Sequence, residues 1–526
     1  MTDRWFTLLA RKVGLPAPVV PRVTCDRRIA IPLADGVRTL ADHWKPVGIT
    51  NPPLVLVRSP YGRKIMNVLI GRHLAHQGFQ VIVQSSRGTE GSEGVFDRPF
   101  ACEVEDGNAT VDWLRQQDFY PGRFFTFGDS YLGWTQIALS QGAGADLAGM
   151  VLRVAPSSLY DMCWPSGTLH YKALLGWSLM AQRNPVLGVG NAIFGKRKEA
   201  PIERTGKTAP LGQTYRQVAP KPIGFWEDWL GHPEKDDPHW ESTEIGGQLD
   251  GVTCPVLVQG GWYDLFLEDT LSQYVRLQDA ELNIGPWTHA DMLTKGVGVS
   301  FTDATAWLRD QAGLEARASH DRVRLVEINS GARVGLEDWP VPHEPLGITV
   351  TADGGGEFTY DPADPTPYVG GALNDATSGS KDNTELEARA DVLTFTSDPI
   401  SADLHLLGSP HVSLTFGSDR PDTAVFIRLC EVRADGTSFN HTDRLVRLSS
   451  ADQSAAGRWD VDVELPPTCL KVPAGHRLRV QVSSGAYPRF ARHPGTDHPP
   501  GTAKEFYVAR QSVQQVCLQV PLRKQV

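Results

Sequence analysis

The chain has 526 residues, of which 41% are hydrophobic and 21% charged, and it carries a formal net charge of −10. This composition is typical of a globular protein of two to four domains, at about 150 residues per domain. An acidic chain without a block of Lys and Arg lacks the electrostatic footprint of a nucleic-acid-binding protein. Because no stretch approaches the roughly 18 apolar residues of a membrane span, we expect no membrane partner.

The N-terminal segment has no long apolar run and no cleavage site typical of a signal peptide. The seven cysteines are an odd number and form no C-x-x-C pair, which is typical of free thiols in a reducing compartment. The sequence therefore predicts a cytoplasmic protein.

The first 150 residues alternate apolar runs with helical patterns. Short buried strands are predicted at Leu54–Val57, Val81–Val83 and Phe124–Phe127, and a helix at Val104–Gln116. Strands separated by helices imply a parallel sheet with helices on both faces. In such sheets the chemistry gathers at the carboxyl ends of the strands.

The rest of the chain divides into three parts. Residues 155–250 lack strand signals and are rich in aromatic residues, which predicts a helical cap over the sheet. Strand runs resume at 255–258 and 280–284, so residues 1–154 and 251–318 are predicted to form one α/β catalytic domain. Residues 319–526 contain recurring short β-runs with turn signals, which predicts an all-β sandwich of the jelly-roll kind.

The motif Gly128-Asp129-Ser130-Tyr131-Leu132-Gly133, a serine flanked by glycines in the pattern G-x-S-x-x-G, follows the third predicted strand and precedes a helix pattern. This context is the one that a nucleophile elbow requires. The turn is so tight that its flanking positions must be small, and it exposes the hydroxyl of Ser130 beside the N-terminus of a helix. The sequence therefore predicts Ser130 as a catalytic nucleophile.

A serine nucleophile needs a base, and in this fold class the acid and the histidine follow the serine in that order along the chain. Asp264 comes just after the strand at 255–259, and His289 just after the strand at 281–284. We predict that Asp264 orients the imidazole and that His289 accepts the proton of Ser130. Glu268 and Asp269 are alternative candidates for the acid of the triad, but the sequence pattern places them in the following helix.

Several ordered motifs are similar to those of one known family. They are Ala34–Ala41, Arg58–Gly62, Gln84–Gly94, Gly128–Gly133, Ala173–Ser178, Gly261–Phe266, Gly285–His289, Tyr360–Pro365 and Val482–Pro488. The chain thereby resembles, over almost its whole length, the cocaine esterase-type α/β-hydrolases within the wider X-Pro dipeptidyl-peptidase group. The resemblance implies an α/β-hydrolase with a helical cap and a C-terminal jelly-roll domain that has no catalytic residue.

The resemblance also implies site residues beyond the triad. It places the backbone N–H of Tyr131 and the phenol of Tyr61 in the oxyanion hole. It implies an aromatic acyl pocket, for which Trp164, Trp177 and Phe266 are at matching positions and Trp262 is a neighbouring candidate. It implies no metal and no organic cofactor.

The chain departs from the family pattern at three points. Ser85 stands where the family often has Asp, which affects a structural contact but not the triad. The carboxylate cluster with which amino-ester hydrolases of the group hold an ammonium has no match, Asp161 and Asp228 being weak candidates. We find no N-terminal helical domain of the larger dipeptidyl peptidases, so ester hydrolysis is favoured over X-Pro exopeptidase activity.

The predicted function is hydrolysis of carboxylic esters through an acyl-enzyme on Ser130. One alternative is acylase or X-Pro-type peptidase action on amides with the same triad. An alternative from another class is a non-catalytic carbohydrate-binding protein, since jelly rolls often bind carbohydrates. The predicted partner is a small-molecule ester or amide, and a homodimer is left open.

Overall fold

The computed structural model of the protein describes residues 10–12, 14–183, 200–219, 221–292, 294–318, 320–454 and 457–524, without the side chains of 65–67, 183 and 200. Among these residues we find no helix with the length and apolar character that a bilayer span requires. All seven cysteines lie in the described ranges and are unpaired thiols.

A ten-stranded sheet forms the centre of the catalytic part, in the order β1-β2-β4-β3-β5-β6-β7-β8-β9-β10. The run from β4 to β9 is parallel, and β1, β2 and β10 pair antiparallel at the two edges. The strands are β1 (Val23–Pro32), β2 (Arg38–Pro46), β3 (Leu54–Ser59), β4 (Gln80–Ser85), β5 (Phe124–Asp129), β6 (Leu147–Arg153), β7 (Val256–Tyr263), β8 (Ala280–Thr288), β9 (Val323–Val326) and β10 (Arg333–Leu336).

Helices cover both faces of this sheet, as the alternation of strands and helices predicts. The helices before the cap are α1 (Ile65–His76), α2 (Glu103–Arg115) and α3 (Tyr131–Ala143). The cap contains α4 (Leu159–Cys163), α5 (Tyr171–Arg183), α6 (Ala200–Gly206), α7 (Leu211–Thr214) and α8 (Gly224–Gly231). After the cap come α9 (Leu267–Arg276), α10 (His289–Met292) and α11 (Val297–Gln311). Short 3₁₀ turns lie at Gly144–Asp146, Pro165–Gly167, Tyr215–Gln217, Pro238–Thr243, Gly246–Gly251 and Ser450–Asp452.

The central strands are buried on both faces, which explains their continuous apolar runs. Every residue of β3, β5 and β7 is buried. One face packs against α1 and α11 through residues such as Ile70, Phe301 and Trp307. The other face joins the large core that continues into the cap and the β-domain.

The parallel register brings three strand ends to one edge of the sheet. Asp129 pairs with Arg153 across β5 and β6, and Tyr263 pairs with Thr288 across β7 and β8. The residues that follow β5, β7 and β8 are therefore neighbours at the carboxyl edge, although they are far apart in sequence.

The sheet extends beyond the boundary that we predicted at residue 318. β9 pairs in parallel with β8, and β10 pairs with β9, so the chain leaves the catalytic sheet only after Leu336. The sequence assigns the β-run at 323–328 to the sandwich, whereas β9 within that run pairs with the catalytic sheet. A short alternating run predicts a strand, but it does not say which sheet the strand joins.

The C-terminal part is all-β and consists of two antiparallel sheets. One contains β19-β16-β22-β15-β20, with β11 and β13 also paired to β22, and the other is β12-β14-β21-β17-β18. The elements are β11 (Glu344–Ile348), β12 (Val350–Ala352), β13 (Glu357–Tyr360), α12 (Thr384–Glu387), β14 (Leu393–Ser397), β15 (Leu404–Gly408), β16 (His411–Ser418), β17 (Thr423–Val432), β18 (Ser438–Leu448), β19 (Arg458–Glu464), β20 (Thr468–Val472), β21 (Arg477–Ser483) and β22 (Ala509–Leu522). Both sheets contribute buried residues to one core, which confirms the predicted all-β class.

Candidate active site

Ser130 occupies a strained turn between β5 and α3. Its backbone has φ 56° and ψ −121°, a region that residues other than glycine rarely adopt. A Cβ on Gly128 would lie 2.3 Å from Cβ of Leu132, and one on Gly133 would lie 2.3 Å from Cβ of Ala155. The two glycines of the motif are thus required by close approach, and the serine is partly exposed at the sheet edge.

Asp264 and His289 are hydrogen-bonded at the same edge. The imidazole Nδ1 lies 2.7 Å from Oδ2 of Asp264, whose side chain is fully buried. The other carboxylate oxygen accepts the backbone N–H of Phe266 at 2.6 Å, so the aspartate has a fixed orientation. If Nδ1 carries the proton, Nε2 of His289 is the acceptor, which is the tautomer that a general base requires.

No hydrogen bond between Ser130 Oγ and His289 is formed among the described residues. The two residues are brought to one edge by the strand order, since only β6 and β7 separate β5 from β8. Catalytic hydrogen bonds are often long before substrate binds and tighten in the complex.

The two rivals of Asp264 have other partners. Oδ1 of Asp269 accepts the backbone N–H and the hydroxyl of Ser157, at 2.9 and 2.7 Å. Glu268 pairs with Arg444 of the β-domain at 2.5 Å. Burial raises the pKa of Asp269 to about 7, a value that fits a carboxyl group held in a protein pocket without a cationic partner.

Tyr61, just after β3, has its phenol held by an indole from the cap. Nε1 of Trp177 donates to Oη of Tyr61 at 3.0 Å. Burial raises the pKa of Tyr61 to about 12, so the phenol is protonated at neutral pH and can donate a hydrogen bond.

Tyr131 begins α3, and the first backbone N–H groups of a helix have no partner within the helix. Its side chain is engaged elsewhere, because Oη donates to Glu103 at 3.0 Å and accepts the N–H of Phe100 at 2.9 Å. The backbone N–H is therefore the group that Tyr131 can offer to a substrate oxygen.

The four aromatic residues proposed for the pocket are in different surroundings. Trp177 is partly exposed and stacks on Tyr131, with ring centroids 6.1 Å apart. The ring of Phe266 lies 5.4 Å from that of His289. Trp164 is buried and lines a crevice between the cap and the β-domain, and the indole of Trp262 donates to the carbonyl of Val326 on β9. The structure thus brings Trp177 and Phe266 to the predicted catalytic groups and ties Trp262 to the sheet.

One group of three potential metal ligands occurs among the described residues, formed by Asp228, His232 and His239. The two imidazole rings are parallel within 5°, with centroids 4.0 Å apart. Imidazole lone pairs lie in the ring plane, so two such rings cannot direct their nitrogens at one ion. Asp161, the other weak ammonium candidate, is exposed and paired with Lys235.

Two family profiles match the chain. The profile of the X-Pro dipeptidyl-peptidase (S15 family) matches residues 35–291, and that of the X-Pro dipeptidyl-peptidase C-terminal non-catalytic domain matches residues 316–518. The chain belongs to the S15 family.

Relatives of this S15-family chain are hydrolases. It is 27% identical over 564 aligned positions to a cocaine esterase from Rhodococcus sp. (strain MB1 Bresler), covering 94% of this chain and 95% of the relative. The fold is similar to that of an aminopeptidase from a marine sediment archaeon, Thaumarchaeota archaeon, with a TM-score of 0.81 and 20% identity over 97% of this chain and 98% of the other. It is also similar to an α-amino acid ester hydrolase, with a TM-score of 0.80 and 19% identity over the same shares of the two chains.

The chain is a serine hydrolase with an α/β-hydrolase fold and a C-terminal all-β domain, as we predicted. Membership of the S15 family supports hydrolysis of ester or peptide bonds. It excludes the non-catalytic carbohydrate-binding alternative as the main function.

Sequence reasoning missed two features of this S15-family site. Trp229 of α8 and Phe100, before α2, pack against Trp177 with ring centroids 6.1 and 5.5 Å apart. Asp129 and Arg153, at the ends of β5 and β6, form a buried ion pair beside Ser130. Charged residues at the ends of otherwise apolar strand runs were the signal available for the second feature.

Proposed function

We propose that the protein hydrolyses carboxylic esters through an acyl-enzyme on Ser130. The proposal rests on the hydrogen bond between Asp264 and His289. This pair lies at the same sheet edge as the strained turn of Ser130, which follows β5. A strained serine, a partly exposed imidazole and a fully buried carboxylate at adjoining strand ends form the arrangement that acyl transfer needs.

In the proposed first step, Ser130 Oγ forms a bond to the carbonyl carbon and passes its proton to Nε2 of His289. The carbonyl oxygen becomes an oxyanion that accepts hydrogen bonds from the Tyr131 N–H and the Tyr61 phenol. Collapse of this intermediate breaks the bond to the alcohol oxygen, which takes the proton from His289 and leaves.

In the second step, water replaces the alcohol. His289 takes a proton from the water as its oxygen bonds to the acyl carbon, and the same two donors hold the second oxyanion. The bond to Ser130 then breaks, Oγ recovers the proton from His289, and the carboxylic acid leaves. Asp264 keeps the imidazole in the required tautomer and stabilises its protonated form in both steps.

The aromatic residues beside the site favour an apolar acyl group. Trp177 and Phe266 present ring surface next to Tyr131 and His289, and a ring or branched chain packed against such a surface removes apolar area from water. Neither Asp161 nor Asp228 offers an unpaired buried carboxylate for an ammonium.

Ester and amide hydrolysis use the same triad, and the S15 profile makes peptide hydrolysis the second candidate. The test compares the wild-type protein and the Ser130→Ala variant on an ester and on its matched amide. We expect hydrolysis of the ester to exceed that of the amide, and both to be lost in Ser130→Ala. Wild-type rates in that variant would refute the mechanism, whereas faster amide cleavage would favour the peptidase.

A further inference from the structure

Asp129 and Arg153 form an ion pair directly beneath the nucleophile turn. Arg153 Nε lies 2.7 Å from Oδ1 of Asp129, and the two side chains are 0% and 7% exposed. Burying two charges costs several kcal/mol per ion, and apolar residues of similar volume are often as stable or more so. Stability alone therefore gives no reason for a charged pair at this place.

The contacts of Arg153 join the two segments that carry the proposed nucleophile and base. Its carbonyl accepts the backbone N–H of Ser130 at 2.9 Å. Its Nη2 donates to the carbonyl of Met292 at 3.3 Å, and Met292 ends the single helical turn that begins at His289. A third contact, to Oγ of Ser300 at 2.9 Å, fixes the same nitrogen to α11.

Packing holds the guanidinium in this position. Its Cζ atom lies 4.3 Å from the ring centroid of Phe301 and 5.5 Å from the ring centroid of Phe127. Phe127 and Asp129 are two residues apart on β5, so their side chains point to the same face of the sheet. Arg153 is therefore packed between a strand and a helix.

We propose that Arg153 is a positioning residue that, through Asp129 and Met292, fixes the turn of Ser130 and the helical turn of His289 relative to each other. The proposal rests on the proposed function of those two residues. Arg153 contacts no substrate and takes no proton. A planar guanidinium suits this role because it holds Nε beside Asp129 and Nη2 at Met292 and Ser300 in one rigid group, whereas an ammonium acts as a point charge.

The electrostatic environment of the pair agrees with this geometry. Burial raises the pKa of Asp129, while charge interactions with Arg153 and with His289 lower it. Burial also lowers the pKa of Arg153, against the opposing charges of Asp129 and Asp303.

The first test replaces the whole pair with apolar residues in Asp129→Val/Arg153→Met. Removing both charges together avoids an unpaired buried ion, so this variant is expected to keep its unfolding temperature. We expect kcat to fall about 10- to 100-fold with little change in KM, because small displacements of reacting groups cost rates of this order. Fluorophosphonate labelling of Ser130 is expected to slow by a similar factor.

Two single variants separate positioning from charge. Arg153→Lys keeps the charge near Asp129 but cannot span to Met292, so we expect a lowered kcat in a folded protein. Ser300→Ala removes one contact of the guanidinium, and its matched control is Thr302→Ala, which removes a hydroxyl bonded four residues back in the same helix. We expect a lower kcat for Ser300→Ala than for Thr302→Ala.

A folded double variant with the wild-type kcat and labelling rate would overturn the proposal while leaving the role of Ser130 intact. If the double variant does not fold, Ser300→Ala decides, and a kcat equal to that of Thr302→Ala overturns it. Failure of the proposed function is distinct, because Ser130→Ala would then retain activity in the otherwise unaltered protein.

Discussion

At the scale of single residues, the hydrogen bond between Trp177 and Tyr61 can have only one donor. An indole N–H donates and cannot accept, so the phenol oxygen is the acceptor and keeps its own proton for another partner. Among the described residues, that proton has no acceptor. The side chain is partly exposed, so this proton is available for a hydrogen bond to a substrate oxyanion.

The Tyr61→Phe variant tests this donor. We expect kcat to fall by about 10²–10³ because loss of one oxyanion donor has that cost, while KM changes little. Tyr120→Phe is a control that removes a phenol bonded to Asp146 in the same domain. In a Tyr61→Phe background, Trp177→Phe should lower kcat less than it does alone, and equal effects in both backgrounds would show that the bond is irrelevant.

The Asp264→Asn variant tests the orientation of the base. An amide cannot enforce the required tautomer of His289, so we expect kcat to fall by about 10⁴. Asp269→Asn is the matched control, since that carboxyl is bound to Ser157. Steady-state kinetics on an activated ester measure both variants, and equal losses would contradict the assignment of Asp264.

At the scale of elements, the turn from β5 to α3 depends on two close contacts. Gly133→Ala would place Cβ 2.3 Å from that of Ala155, where backbone has to move. We expect a loss of stability of about 1–3 kcal/mol together with slower labelling of Ser130. Gly231→Ala in α8, where a Cβ meets nothing within 4 Å, is the control. Thermal unfolding measures both, and equal midpoints would refute the packing argument.

The sequence predicted this turn and the order of the triad because both depend on local patterns. Glycines at fixed spacing, the preceding apolar run at Phe124–Phe127 and the chain order of Ser130, Asp264 and His289 are readable along one chain. The Asp129–Arg153 pair was not predicted, because it requires knowing that β5 and β6 are neighbours in register. The pairing of β9 with β8 was not predicted for the same reason.

At the scale of the whole molecule, Glu431 connects the two main parts. Its carboxylate accepts from His441 at 3.2 Å and from His476 at 2.5 Å within the β-domain. It also accepts from Asn329 at 2.7 Å, in the turn between β9 and β10 of the catalytic sheet. His441 in turn lies 3.3 Å from the hydroxyl of Tyr263, the residue before Asp264.

The stability of this junction is expected to depend on pH. Burial alone raises the pKa of Glu431, but the hydrogen bonds from its partners lower it to about 2, from an ordinary value of 4.5. A depressed folded-state pKa contributes stability that is fully present above about pH 4.5 and is lost as the pH falls toward about 2.

Urea unfolding of wild type and Glu431→Gln measures this effect. The difference between their midpoints should be largest near about pH 6 and shrink by about pH 3. Glu357→Gln, at an exposed position on β13, is the control that should show no such trend. A difference that grows as the pH falls would contradict the sign of the effect.

Rapid quenching of ester turnover, followed by peptide mass spectrometry, shows which residue carries the acyl group. We expect an acyl group on the peptide that contains Ser130, formed in wild type and lost in His289→Ala. An acyl group on another residue, or the same amount of acylated Ser130 without the imidazole, would contradict the proposed mechanism.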